Sequence, residues 1–240
     1  MSRRLLGPGI FTVLSLVILA ALGAWQWQRR AEKIELIATI QDRTTRPPVA
    51  FPAASQWPAL KLEPLSYLPV SLTGTFDHAR EAHVFFSLAK TVNGVGGPGY
   101  LIFTPLALTS GGTVLVNRGF VPMDRKAAAT RVDGQTGGIV TVTGLVRLPE
   151  PRGSFSGADD AAKNVFYVRD PAALATALNL GAVAPVMVDL STPAPPGGLP
   201  LPGVTQINIP NNHLNYAMTW WGLGLVLLVI FVLYARGKTG

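Results

Sequence analysis

Two runs without a single charged side chain, Leu5–Gln28 and Tyr216–Ala235, bracket this chain. A hydrocarbon core about 30 Å thick is crossed by a helix of about 20 mainly apolar residues, because backbone polar groups in lipid must be satisfied within the segment itself. Both runs are long enough. Two crossings return a chain to the side it started from, so both termini are expected on one face of a membrane and the middle on the other. The organisation this predicts is a tail over 1–8, a transmembrane helix over 9–27, a folded region over 28–212, a second transmembrane helix over 213–235 and a tail over 236–240.

Charge bears on which face is which. Of the net +7, the end regions 1–27 and 213–240 carry Arg3, Arg4, Arg236 and Lys238 and no acid. Lys and Arg near helix ends favour the cytoplasmic side. Arg29, Arg30 and Lys33, just past the first run, pull the other way, but a long loop translocates largely regardless of its charge. The expectation is cytoplasmic termini, a periplasmic domain and a bacterial inner (plasma) membrane. A secretory signal is the alternative, with Arg3 and Arg4 as its basic start and Ala21-Leu22-Gly23 as a small-residue cleavage site. The length of the run, and Trp25 and Trp27 at its end, favour a retained anchor. No Arg- and Ser-rich leader precedes the run, so a mitochondrial precursor is not expected. No basic stripe with interleaved aromatics points to nucleic acid. A chain with 0 Cys has no disulfide or thiolate chemistry.

The middle reads mostly as strands. Ala31–Ile40 continues the first helix beyond the membrane, and Thr44–Pro58, with four prolines, reads as an extended linker. Runs rich in Val, Leu, Phe and Thr follow at Leu68–Phe76, Ala82–Leu88, Tyr100–Leu108, Thr113–Phe120 and Ile139–Leu148, bounded by turn residues. Gly111-Gly112 predicts a hairpin turn. Asp170 as cap, Pro171 in the first turn and Gly181 as stop predict one helix. Strands are expected again at Pro185–Asp189 and Gln206–Ile209. Consecutive strands with a late helix predict an α+β domain built on a mostly antiparallel sheet or barrel-like sheet, flanked by N- and C-terminal transmembrane helices.

Motifs for common enzyme chemistry are weak. Gly94-Val-Gly96-Gly-Pro-Gly99 matches a dinucleotide fingerprint, but Pro98 and a following strand are the wrong context, and it reads as a flexible turn. Neither a nucleophile elbow nor a phosphate loop occurs. His78 and His83 near Asp77 and Glu81 read as ordinary surface groups of a turn rather than a metal site. Arg118, within Val116–Pro122, must find a partner if buried. A salt bridge to Asp124 or Asp77 is the structural expectation, and an anion or partner contact the functional one.

The start of the second run carries the best candidate for chemistry. His213 lies about 31 Å along a helix from Tyr234, so the two mark opposite interfaces. His213, Ala217, Trp220 and Gly224 share a helix face: a nitrogen donor, an aromatic and a small residue, as a flat apolar ligand requires. A neutral imidazole there can ligate haem iron. Equally, Asn211 or Asn212 can cap the helix while His213 and the tryptophans anchor it in the headgroups. Arg29, Arg30 and Lys33 suit either lipid phosphates or the carboxylates of a bound cofactor. Ala20 and Ala24 on one helix and Gly222 and Gly224 on the other would let the spans approach closely.

Several motifs in order resemble the Surfeit locus protein 1 family of oxidase assembly factors. They are Leu22-Gly-Ala-Trp25-Gln26 with Arg29 and Lys33; Pro69 to Gly74, Phe76, Asp77 and His78; Gly97, Gly99 and Tyr100; Thr104-Pro105-Leu106; Asn117-Arg118-Gly119 through Pro122; and Asn212-His213, Tyr216, Thr219 and Trp220. The resemblance implies a non-enzymatic, membrane-anchored assembly factor for a haem a-containing cytochrome c oxidase. It implies transient binding of haem a, with subunit I as partner and haem a synthase or other assembly factors as further ones. Carried over, His213 is the expected iron ligand. Arg29 and Arg30 are then expected at the propionates, with Trp220 and Tyr216 as packing groups. A cofactor-free scaffold holding oxidase subunits is the alternative. A haem-modifying enzyme has little support in a chain with 3 His.

Overall fold

The first apolar run belongs to one continuous helix, α1 (Arg3–Thr44), and the second to α3 (His213–Thr239). The computed structural model describes residues 3–204 and 211–239. The expected strand Gln206–Ile209 falls outside them. Both helices contain windows apolar and long enough to cross a membrane. The chain forms two compact units: one holds α1 up to Gln41 together with α3, and the other begins at Asp42 and holds every strand.

In the helical unit one line of shielded positions on α1 runs Leu5, Gly9, Thr12, Leu16, Leu19, Gly23 and Gln26, and one on α3 runs His213, Ala217, Trp220, Gly224, Leu227 and Phe231. The spacing alternates between four and three. That keeps one seam facing the partner, as in left-handed coiled pairs. Small residues let the backbones close: Gly224 meets Leu16 and Leu19, and a methyl group on Gly23 would lie 2.1 Å from the Trp221 indole nitrogen. Gly23, rather than Ala20 or Ala24, is the close-approach residue on α1, since both alanines are exposed. The outward faces carry exposed apolar residues such as Ile10, Leu14, Ile18, Leu225 and Ile230.

The second unit is an α+β domain on one seven-stranded sheet. Its strands are β1 (Val49–Ala50), β2 (Pro69–Phe76), β3 (Ala82–Val92), β4 (Val95–Leu108), β5 (Thr113–Pro122), β6 (Ile139–Arg147) and β7 (Val183–Thr192), with the short helix α2 (Pro171–Ala177) before β7. The order β1-β2-β6-β7-β5-β4-β3, with an extra pairing of β2 to β4, closes β2, β6, β7, β5 and β4 into a small barrel. Closure uses Gly74↔Leu108, Thr75↔Ala107 and Phe76↔Leu106. Gly74 permits it, because a Cβ there would sit 2.3 Å from the Ala107 carbonyl oxygen.

Residues of one parity, including Val70, Leu72, Leu106, Val114, Val116, Val142, Val186 and Val188, fill the interior. Leu115 and Met187, of the other parity, face outward and are covered with Leu174 of α2. β5 and β7 are therefore buried on both faces, which explains the consecutive apolar residues Val114–Val116 and Val186–Val188.

Several boundaries differ from the sequence reading. The expected linker Thr44–Pro58 is docked: α1 runs to Thr44, β1 pairs with β2, and Trp57, buried, donates from Nε1 to the Pro52 carbonyl at 3.0 Å. The glycine-rich stretch 94–99 is mostly strand. Only Asn93 and Gly94, with φ of 50° and 79°, make the turn joining Val92 to Val95. Asp170 caps α2 through the Ala172 amide, as expected, but the helix ends at Ala177, and Asn179 (φ 50°), not Gly181, reverses the chain.

Candidate functional site

α3 starts where the sequence places its chemistry. The Asn212 carbonyl accepts from the Tyr216 amide at 3.3 Å, so Asn212 occupies the capping position and His213 opens the helix. Because His213 lies on the seam, its ring points at α1. There His213 Nδ1 lies 2.7 Å from Gln26 Oε1, the next seam residue after Gly23. Beside this pair is a cleft of about 410 Å³ lined by Trp25, Arg29, Glu32, Lys33, Leu36 and His213. That lies within the range of about 300–1,000 Å³ typical of small-molecule sites. Arg29 bonds Glu32 at 2.7 Å, and its guanidinium lies 5.9 Å from the Trp25 ring. The lining offers one imidazole, two cations, an indole and Leu36, a set suited to an apolar metal-bearing ring with carboxylate arms, and one carboxylate, Glu32, from which such arms would have to draw Arg29 away.

Not every expected residue joins that cleft. Arg30 lies over the Trp27 ring at 5.3 Å, and Trp27 in turn meets Trp221 at 6.0 Å. Trp220 is half-buried on the seam, two turns further into the span, and Tyr216 is exposed. The structure thus gathers His213, Arg29 and Trp25 and leaves Arg30, Trp220 and Tyr216 outside the cleft lining. Glu32 and Leu36 were not singled out in the sequence. Their signal was the recurrence of 25, 29, 32, 33 and 36 on one face of a helix that continues past the membrane.

The motif residues of the barrel form a separate, polar cluster. Arg118 on β5 is 1% exposed. It pairs with neither Asp124 nor Asp77; Asp77 instead bonds Arg80 at 2.6 Å. Arg118 donates to the Gly134 carbonyl and to His78 Nδ1 at 3.2 Å, with its guanidinium 5.0 Å from the Phe76 ring. Burial first, then repulsion from Arg131, lowers its pKa to about 10, so it stays charged at neutral pH.

His83 and Glu81 are buried, not surface groups. His83 Nε2 lies 3.0 Å from Glu81 Oε1, and Arg131 donates to the same oxygen. Burial pushes the Glu81 carboxyl up, but bonds from His83 and Arg131 outweigh it and leave the pKa lowered. No group of three metal-ligating side chains occurs among the described residues. Asn117 donates to Asp189 Oδ1 at 2.8 Å and accepts from the Gly119 amide at 3.1 Å. Tyr100 packs edge-on to Phe85 with Lys126 over its ring, and Pro122 ends β5. The cluster pins the segment 123–138 against the barrel.

The cluster fixes a protonation state. A guanidinium can only donate, so His78 Nδ1 must carry the lone pair and Nε2 the proton, which it donates to the Thr136 carbonyl at 3.0 Å. Burial, then the Arg118 charge, holds the pKa of His78 below its ordinary 6.5 despite the Thr136 bond. The unfolded chain therefore binds the proton first, and stability is lost as pH falls below about 6.5 towards the depressed native value. The thermal midpoint of the domain is expected to drop between pH 7.5 and 5.5, and His78→Leu to flatten that dependence. An unchanged slope in the variant would refute the assignment.

A model of the SURF1 family matches residues 13–225. Surfeit locus protein 1 of Homo sapiens is 34% identical over 231 residues, covering 91% of this chain and 75% of that protein. The Mus musculus protein of the same name is 34% identical over 212 residues, covering 84% and 67%. A SURF1-like protein of Monosiga brevicollis is 34% identical over 235 residues, covering 93% and 85%.

Proposed function

The chain belongs to the SURF1 family, and on that footing we propose that it is a non-enzymatic assembly factor for a haem a-containing cytochrome c oxidase, receiving haem a as cargo for subunit I. The observation that carries the reading is the His213–Gln26 pair at the mouth of a cationic, aromatic cleft between two membrane-spanning helices. In this reading His213 holds the iron through Nε2, and Arg29 and Lys33 meet the propionates. Trp25 and Leu36 cover the ring. Arg30 and Trp220 support the helix pair rather than the cargo.

One axial nitrogen is the appropriate number for a carrier, since a cargo gripped by two strong ligands would be released slowly. The basic tails, with Arg3, Arg4, Arg236 and Lys238, support cytoplasmic termini in a bacterial inner membrane and a periplasmic barrel domain. Haem a synthase is a natural donor and subunit I the acceptor.

The test is purification in mild detergent from haem a-producing cells, with and without His213→Ala. Wild type is expected to show a haem a absorbance spectrum and the variant to lose most of it. Equal haem content in both would remove His213 as ligand. The lipid-facing apolar residues of both spans favour a second reading, a cofactor-free scaffold packing against subunit I. Haem-free protein that still cross-links to subunit I would select it.

A further inference from the structure

We propose that Gln26 is a positioning residue that sets the tautomer of His213, holding its proton on Nδ1 so that the Nε2 lone pair is presented for ligation. The inference rests on the reading of His213 as an iron ligand, but its physical basis is independent of any cargo. A neutral imidazole has one N–H and one lone pair, and fixing the proton on one nitrogen fixes the lone pair on the other. His213 Nδ1 faces the Gln26 carboxamide oxygen at 2.7 Å, and an amide oxygen can only accept. Gln26 follows Gly23 on the seam, where the close approach of α3 leaves its side chain half-buried and directed at His213.

The choice of a carboxamide has a consequence for release. A carboxylate in the same place would draw the Nδ1 proton more strongly and make Nε2 a stronger donor, as in carboxylate–histidine–metal triads. A neutral acceptor orients the ring without that strengthening. The geometry is suited to a ligand that binds iron in one orientation and lets it go.

The test uses the full chain in detergent micelles with 15N-labelled histidine, in which only three histidines, His78, His83 and His213, contribute signals. His213→Ala identifies the resonance. In cargo-free wild type His213 is expected as the Nδ1–H tautomer, and Gln26→Leu is expected to abolish that preference while Gln26→Glu keeps it. The second readout is ferric haem added to the purified protein. Release is expected to be about tenfold or more faster in Gln26→Leu and slower than wild type in Gln26→Glu.

A purely structural role for Gln26 would not move the two variants in opposite directions. Wild-type His213 in the Nε2–H form, or a tautomer indifferent to Gln26→Leu, overturns the proposal. If Gln26→Leu does not fold, the wild-type tautomer and the Gln26→Glu release rate still decide it. Failure of wild type to bind haem with the expected tautomer intact would count against the carrier reading and leave the positioning role standing.

Discussion

Gly119→Ala is expected to leave the barrel domain unfolded or barely folded. Gly119 sits at φ +128°, where side chains are rarely tolerated, and a Cβ there would lie 2.1 Å from the Leu201 carbonyl oxygen and 2.7 Å from the Pro202 nitrogen. Neither side has room to yield. The Phe120 amide donates to the Leu201 carbonyl at 2.9 Å and the Leu201 amide to the Phe120 carbonyl at 2.8 Å, while Asn117 holds the Gly119 amide at 3.1 Å. Relieving the clash means breaking that reciprocal pair. Each buried backbone bond left unmade costs about 1–3 kcal/mol, and the backbone conformation itself adds about 1–3 kcal/mol. The total is comparable with the roughly 5–15 kcal/mol that holds a whole domain.

Gly181→Ala is the control, since nothing lies within 4 Å of its Cβ position and its backbone is not in the left-handed region. Urea unfolding followed by circular dichroism, on the full chain in detergent, is expected to give a wild-type midpoint for Gly181→Ala and little or no folded baseline for Gly119→Ala. A loss below about 1 kcal/mol for Gly119→Ala would show that the 199–202 segment can move away.

What could be read from the sequence follows the range of the interactions. The two long apolar helices were legible because their signal lies within about 20 consecutive residues. The strand cores of β2 to β6 were legible from local composition, and the α2 cap because Asp170 acts on an amide two residues away. A barrel-like sheet was legible from the run of consecutive strands, but the pairing that closes it was not: it depends on Gly74 meeting Ala107 across a sheet whose neighbours are set by tertiary packing. Trp57 looked like part of a proline-rich linker because only the folded barrel supplies the apolar surface that buries it.

The site divides in the same way. His213 was singled out from its helix face and Arg29 from its place just past the first apolar run, and the structure brings both to one cleft. The Gln26 bond spans 187 residues and exists only once the helices pair. A neutral amide carries no charge or periodicity to announce it. The partners of Arg118 were hidden for a similar reason. Proximity in sequence suggested carboxylates, whereas the fold offers a carbonyl and an imidazole.

Arg118→Ala is the other substitution expected to act strongly, and its effect should begin in one segment. The guanidinium is fully enclosed, and no carboxylate pairs with it among the described residues. It satisfies the Gly134 carbonyl and His78 Nδ1, and its Nε has no hydrogen-bond partner among the described residues. Truncation to alanine leaves both acceptors unmet and opens a cavity, a cost of about 3–5 kcal/mol. Both variants remove the buried charge, but Arg118→Met also refills the volume, so about 1–3 kcal/mol of that loss should return. Neither variant restores the bond to Gly134.

The segment 123–138 is still held by Arg131, which bonds Glu81 beside β3. Its opening should therefore become easier before the barrel itself unfolds. Trypsin cleavage at Arg125, Lys126 or Arg131 is expected to accelerate on the order of tenfold in Arg118→Met, equivalent to about 1.4 kcal/mol of local opening. Urea midpoints should rank wild type above methionine above alanine. If alanine and methionine prove equally stable and cleavage stays at the wild-type rate, Arg118 does not pin the segment, and its bonds to Gly134 and His78 contribute little to holding the fold.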